Sequence, residues 1–249
     1  TTKAVWGESG DKLTFGNGQG EIKSWNLKEG VKEYGLIRDQ LAANRTESQF
    51  EQLDLNPKRN QFVTSTQGGF VEVWDSTTGQ SMYEFDLREP GSDTAWHPIE
   101  DGFLAAADSS GPIRLLRDGL HVSSLVGHRD RTIAIDWSPD GTQLASGSND
   151  GTVRIWDLET HNSIHVLEGH HNSVSGVSWS PDGKRIATSG LDGTVQIWDP
   201  VHGLVAFTLN GKGRAMTCVQ WSPDGMKVAA GDEGGDLFIW DASEGISAE

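Results

Sequence analysis

Ten tryptophans fall on one repeating grid, and such a grid leaves a chain few ways to fold. Five close short apolar segments just before an Asp or a similar residue: Trp25, Trp74, Trp156, Trp198 and Trp240. The other five, Trp6, Trp96, Trp137, Trp179 and Trp221, each open a turn such as Trp-Ser-Pro-Asp-Gly. Each series has one gap, filled by Leu116 and Leu55 respectively. A period of about 40 residues marks an architecture in which each unit buries its apolar face on the next.

The three C-terminal units are the clearest. One runs Arg131–Trp137, Ser-Pro-Asp-Gly at 138–141, Leu144–Ser148, Asn149-Asp150-Gly151 and Thr152–Asp157. The next runs Ser173–Trp179, 180–183, Arg185–Gly190, Leu191-Asp192-Gly193 and Thr194–Asp199, and the third Ala215–Trp221, 222–225, Lys227–Gly231 and Asp236–Asp241. Each segment is short, β-branched or apolar in alternation, and bounded by Gly, Pro or Asp, which predicts strands. Pro pre-sets φ and Gly takes positive φ in the turns. Fourth strands are predicted at Ser163–Leu167 and Leu204–Leu209.

The N-terminal half repeats the pattern in weaker form. Its units are Lys3–Trp6, Lys12–Gly16 and Glu21–Asn26; Gln49–Leu55, Gln61–Ser65 and Phe70–Asp75; and Ser92–Trp96, Phe103–Ala107 and Ile113–Arg117. The polar stretch from Lys28 to Ser48 predicts a long surface loop, with a helical turn hinted at Leu36–Ala43.

Gly127-His128 to Trp156-Asp157 and Gly169-His170 to Trp198-Asp199 carry Gly-His, Ser-Pro-Asp-Gly, Asp-Gly and Trp-Asp in fixed order. With these motifs the chain resembles the WD40-repeat family along nearly its whole length. The resemblance implies an all-β, WD40-type β-propeller of four-stranded antiparallel blades around a central channel. Six units, at roughly 1–38, 48–87, 91–126, 129–168, 171–210 and 213–249, would form one domain. Most members have seven blades, so six is either the true count or the mark of an incomplete or open ring. The opening Thr1-Thr2, without Met, suggests a fragment or a processed piece. The last blade should begin its outermost strand near the end of the chain, with Ile246–Glu249 as a stub. An edge left unpaired there would be a template for a partner's strand.

Composition narrows the function. A net charge of −16 opposes a general nucleic-acid binder and a protein lying on anionic membranes. No apolar run approaches the roughly 20 residues of a membrane span, and no signal peptide is visible. The single Cys218 excludes an intramolecular disulfide, fits a cytoplasmic protein, and reads as a small buried hydrophobe. Asn44-Arg45-Thr46 is a formal glycosylation sequon of a kind common by chance.

Ser, His and Asp recur together, which invites a hydrolase reading. The sets are His128, Ser146 and Asp150, and His170, Thr188 and Asp192, each followed by a Trp, Trp156 and Trp198. The resemblance implies structural tetrads, and the donor and acceptor inventory allows a relay from indole through hydroxyl and imidazole to carboxylate. Two copies, each tied to a Trp, argue for scaffold over catalysis, which would need one exposed set with an oxyanion hole. In the last unit the four slots hold Lys212, Ala230, Gly234 and Trp240. The first three units lack the set as well, and are expected to be held mainly by apolar packing.

No cofactor or metal is expected. Asp232-Glu233-Gly234-Gly235-Asp236, Asp108 and Asp150 lack calcium-loop spacing. His161, His165, His170 and His171 read as strand, tetrad and loop residues. Gly16-Asn17-Gly18-Gln19-Gly20 leads into a strand and not the helix of a dinucleotide loop.

Basic residues gather in equivalent loops. Arg129 and Arg131, His171 and Ser173, and Lys212 and Arg214 occupy matching slots. Asn149, Leu191 and Glu233 should open on the same face, near the channel mouth. In the family this face commonly binds peptides. The chain is therefore expected to be a non-enzymatic interaction, scaffold or signalling module with a protein or peptide ligand. A basic rim favours an acidic or phosphorylated segment through bidentate Arg contacts, although Glu233 opposes it. The alternative is a structural subunit whose incomplete last blade is closed by a partner's strand.

Overall fold

Alternation and turn chemistry produce six antiparallel sheets, each a simple meander. The computed structural model describes the backbone of residues 4–6, 12–16, 22–26 and 30–36, and residues 50–242 apart from 57, 77 and 79; side chains are described from residue 52 onward. The chain divides into two compact units near residue 123, with Ser110–Pro112 counted in the second.

The first unit holds three sheets. Sheet 1 is β1 (Ala4–Trp6), β2 (Lys12–Gly16), β3 (Ile22–Asn26) and β4 (Gly30–Leu36). Sheet 2 is β5 (Phe50–Leu55), β6 (Gln61–Thr66), β7 (Phe70–Asp75) and β8 (Ser81–Asp86). Sheet 3 is β9 (Gly91–Trp96), β10 (Phe103–Asp108), β11 (Ile113–Arg117) and β12 (Leu120–Leu125). Val63, Val71 and Val73 of sheet 2 share a core with Trp96, Leu104 and Leu116 of sheet 3.

The second unit holds the three clear repeats. Sheet 4 is β13 (Thr132–Trp137), β14 (Gln143–Ser148), β15 (Thr152–Asp157) and β16 (Ser163–Glu168). Sheet 5 is β17 (Val174–Trp179), β18 (Ile186–Gly190), β19 (Thr194–Asp199) and β20 (Leu204–Asn210). Sheet 6 has three strands among the described residues, β21 (Met216–Trp221), β22 (Lys227–Asp232) and β23 (Leu237–Asp241). Ala145 and Ile155 of sheet 4 pack on Val174, Val177 and Trp179 of sheet 5. Ala187 and Ile197 of sheet 5 pack on Met216, Val219 and Trp221 of sheet 6. Each fully buried Trp removes on the order of 150–250 Å² from water, a gross gain of roughly 4–6 kcal/mol.

Polar links fix the spacing between sheets. At three of the turn-opening Trp slots the preceding residue accepts the backbone N–H of the next sheet's Trp. Asp54 Oδ2 receives Trp96 N at 3.0 Å, Asp136 Oδ2 receives Trp179 N at 2.7 Å, and Ser178 Oγ receives Trp221 N at 3.2 Å. The Ser-Pro-Asp-Gly turns are self-capped. Ser138 Oγ donates to Asp140 Oδ1 at 2.7 Å, and the same bond recurs at Ser180–Asp182 and Ser222–Asp224. Gly141, Gly183 and Gly225 take φ near +70° there, where an L side chain would be strained.

Two expectations need correction. Gly30–Leu36 form a strand paired with β3, within the stretch read as a loop. The polar residues of β4 hid a strand whose partner supplies its hydrogen bonds. The hinted helical turn otherwise falls on residues 37–43, outside the described set, as do the sequon and the stub at Ile246–Glu249. Cys218 is exposed rather than buried. A bulge between Met216 and Cys218 breaks the alternation, and Cys218 lies in the last sheet of its unit. The matching Gly176 in sheet 5 is covered by Cys218 and Val219 of the following sheet. Sheet 6 shows three strands among the described residues; the outermost strand of the last blade was expected only near the end of the chain, outside them.

Candidate binding face and its supporting tetrads

Both tetrads are assembled as hydrogen-bond chains. In repeat 4, Trp156 Nε1 donates to Ser146 Oγ at 2.8 Å, Ser146 Oγ lies 2.7 Å from His128 Nε2, and His128 Nδ1 lies 3.1 Å from Asp150 Oδ2. In repeat 5 the same path runs from Trp198 to Thr188 at 2.8 Å, to His170 at 2.8 Å and to Asp192 at 2.9 Å. An ionised carboxylate only accepts, so Nδ1 carries the imidazole proton and Nε2 accepts from the hydroxyl. The indole can only donate, so each member is satisfied once.

Burial pushes both His128 and His170 below the ordinary imidazole value, against the upward pull of Asp150 and Asp192. Burial pushes Asp150 upward, but hydrogen bonds from the Thr152 hydroxyl, the N–H groups of Arg129 and Thr152, and His128 outweigh it. The carboxyl is held well below its usual range. Asp192 is lowered by the same balance, with His171 N–H, Thr194 and His170 opposing its burial. Ser146 and Thr188 are fully buried, so neither hydroxyl can meet a substrate.

Each tetrad also shapes the loop above it. Asp150 Oδ2 accepts Arg129 N at 2.9 Å and Asp192 Oδ2 accepts His171 N at 2.9 Å, so the buried carboxylates pin the loops that carry the candidate residues. Gly precedes each His because a Cβ at Gly127 or Gly169 would press on the ring of Trp156 or Trp198 at 3.0 or 2.8 Å.

The nine candidate rim residues come together along one edge of the second unit. Asn149 N donates to Arg131 O, Leu191 N to Ser173 O and Glu233 N to Ala215 O, all at 2.9 Å, which pairs the two loops of each repeat in the same way. Successive repeats touch as well. Gly151 faces the carbonyls of His170 and Asn172, and Gly193 faces the carbonyl of Arg214. Arg129, Asn149, His171, Leu191, Lys212, Arg214 and Glu233 are exposed, while Arg131 and Ser173 are half-buried. Lys212 and Arg214 both pair with Asp236, at 3.3 and 3.6 Å, a partner not anticipated for them. Recognising it requires the register that brings β23 beside the 212–214 loop.

Among the earlier repeats the tetrad is not wholly absent. Trp74 Nε1 donates to Thr64 Oγ1 at 3.0 Å, preserving its indole–hydroxyl half. A search for the complete motif misses it. In repeat 3 the buried Asp108 pairs with Arg114 at 3.6 Å, so polar links supplement the apolar packing expected there.

Residues 119–157, 161–199 and 203–241 match the family model described as "WD domain, G-beta repeat". The three matched repeats, between residues 119 and 241, are repeats of the WD40 family, and the all-β sheets of the chain are consistent with a β-propeller. It is 38% identical over 119 residues, 46% of this chain and 34% of the relative, to an uncharacterized WD repeat-containing protein of Synechocystis. It is 39% identical over 158 residues, 59% of this chain and 20% of the relative, to Protein groucho of Drosophila melanogaster. It is 26% identical over 152 residues, 60% of this chain and 16% of the relative, to U3 small nucleolar RNA-associated protein 21 homolog of Schizosaccharomyces pombe. The matches span about a third or less of these relatives. WD40 proteins in general are non-enzymatic scaffolds for protein–protein interaction. Among the described residues no helix is long and apolar enough to cross a membrane.

Proposed function

We propose that this chain is a protein-interaction module whose partner docks on the rim formed by residues 129–131, 149–151, 171–173, 191–193, 212–214 and 233–236. The observation that carries this reading is the continuity of three equivalent loop pairs, two of them pinned from below by tetrad carboxylates. A preorganised, largely exposed surface on rigid supports loses little freedom on binding. Arg129 and Arg131 flank one end, which favours an acidic or phosphorylated protein segment over nucleic acid, given the net charge of −16. A chain with one cysteine and no disulfide is suited to an intracellular site.

Affinity enrichment from lysate, comparing the chain with an Arg129→Glu/Arg131→Glu variant of matched thermal stability, tests the reading. Loss of partners only from the variant supports the rim. Retention of every partner removes it.

A second reading rests on sheet 6. Its strand β23 has no fourth neighbour among the described residues, and Leu237 and Ile239 are 70% and 60% exposed. In that reading a partner strand adds beside β23, making the chain a structural subunit. Partners retained by the rim variant but lost on Ile239→Lys would favour it.

A further inference from the structure

The rim of repeat 6 has been rebuilt. Where repeats 4 and 5 hold His128 and His170, it holds Lys212; where they hold Thr152 and Thr194, it holds Asp236. The tetrad hydroxyl and carboxylate are replaced by Ala230 and Gly234. A buried hydrogen-bond chain that ends on a carboxylate gives way to an ion cluster at the surface. One oxygen, Asp236 Oδ2, lies 3.3 Å from Lys212 Nζ and 3.6 Å from Arg214 Nη1. Two cations therefore share one carboxylate, and the cluster keeps one uncancelled positive charge.

The surroundings hold this arrangement open. The side chain of Arg214 lies over Gly234, where any Cβ would collide with its guanidinium. The Phe238 ring backs the Lys212 ammonium at 5.9 Å. Asp232 Oδ1 is engaged with the N–H groups of Gly234 and Asp236, both at 2.9 Å, so the Asp236 backbone is anchored independently of its carboxylate. Asp232, which is buried, and Glu233, which is exposed, are the other acidic neighbours and lower the net positive charge felt at the cluster.

We propose that Lys212 and Arg214 form an anion subsite of the rim, with Asp236 as a built-in stand-in for the ligand. An acidic or phosphorylated side chain of the partner displaces the Asp236 carboxylate and takes both cations. This inference rests on the rim being the docking face. Side-chain exposures of 69%, 53% and 41% for Lys212, Arg214 and Asp236 put the internal pairs among those that salt and water weaken. A phosphate offers three acceptor oxygens and close to two charges, enough to satisfy a Lys and an Arg together. The stand-in suppresses weak or singly charged competitors and yields to a dianion, which is selection by competition.

The test is fluorescence anisotropy with a labelled peptide carrying two phosphoserines, beside its Glu-substituted and unmodified forms. Wild type, Asp236→Asn and Lys212→Gln/Arg214→Gln are compared at matched thermal stability. Asp236→Asn should bind the phosphopeptide roughly twofold tighter, the effect of removing one exposed competitor. The double variant should bind at least about tenfold more weakly, and the unmodified peptide should not distinguish the three proteins. A Glu peptide that follows the same order supports the subsite with carboxylate as the source. Unchanged or weaker binding by Asp236→Asn overturns the stand-in role, and no binding by any form at millimolar peptide overturns the subsite. If Arg129→Glu/Arg131→Glu still loses its lysate partners in that case, only the subsite has failed. If it keeps them, the rim reading has failed too.

Discussion

Repeats 4 and 5 on one side and repeat 6 on the other share strand order, turn chemistry and the Trp grid, but are held together differently. The first two lock Trp, hydroxyl, imidazole and carboxylate into a buried chain. The third keeps its Trp, loses the other members, and places Lys212, Arg214 and Asp236 at the surface. Phe238 stacks on Trp240 at 5.7 Å in place of the polar relay. The grid therefore sets blade geometry, while the tetrad is an addition that stiffens particular loops. Where it is missing, the loop residues are released for other chemistry.

The largest expected effect tests whether the same Trp carries different weight in the two kinds of repeat. Trp198→Ala should cost about 3–5 kcal/mol, since the ring is fully buried and Thr188 and His170 lose their place in the chain. Trp240→Ala should cost roughly 2 kcal/mol less, because its ring is only half-buried and it has no hydroxyl partner. Urea unfolding of both variants measures the difference. Equal losses would mean that packing alone sets the contribution. Next in size, Ser146→Ala should cost about 1–3 kcal/mol by stranding the Trp156 N–H and His128 Nε2 in the interior. Its measurement is the urea midpoint at constant m-value.

Proton linkage separates the repeats as well. Burial places His128 and His170 below their ordinary value, so the folded chain takes up these protons at lower pH than the unfolded chain does. Their contribution is complete above the unfolded imidazole value of about 6.5 and is lost as pH falls toward the folded values. Asp150 and Asp192 are lowered too, so their share is present above about pH 4 and is lost as pH falls further. Melting temperature should therefore drop from pH 7 to 5, and His128→Gln/His170→Gln should flatten that slope while lowering the plateau. A variant as steep as wild type would place the linkage elsewhere.

Much of this was legible in the sequence, and the failures have physical causes. Strands of repeats 4 to 6 announce themselves because apolar alternation meets Pro, Asp and Gly at each end, and both tetrads were implied by the resemblance to WD40 repeats. The strand Gly30–Leu36 was hidden because polar residues at 32 and 33 interrupt its alternation, and its pairing with β3 is non-local information. The inter-sheet bonds accepted by Asp54, Asp136 and Ser178 were not foreseen, because they depend on how one sheet packs on the next. Cys218 was misread because burial there depends on a following sheet, as the matching Gly176 is covered by Cys218 and Val219 of sheet 6. At the rim, the matching slots came from the repeat register, but the pairing of Asp236 with Lys212 and Arg214 did not. It depends on which loop of a hairpin leans over the other.

The smallest effect is the most discriminating. Asp236→Asn and Lys212→Gln should each change stability by less than about 0.5 kcal/mol, since exposed pairs of this kind contribute little. Ser146→Ala, by contrast, removes a member of a buried network of similar hydrogen-bond count. If urea unfolding finds Asp236→Asn as costly as Ser146→Ala, the cluster in repeat 6 is a substitute tetrad and its cations are structural. If it finds almost no cost, the three charges are not there to hold the blade. The fold then places no demand on them, which leaves them available for the anion subsite proposed at the rim.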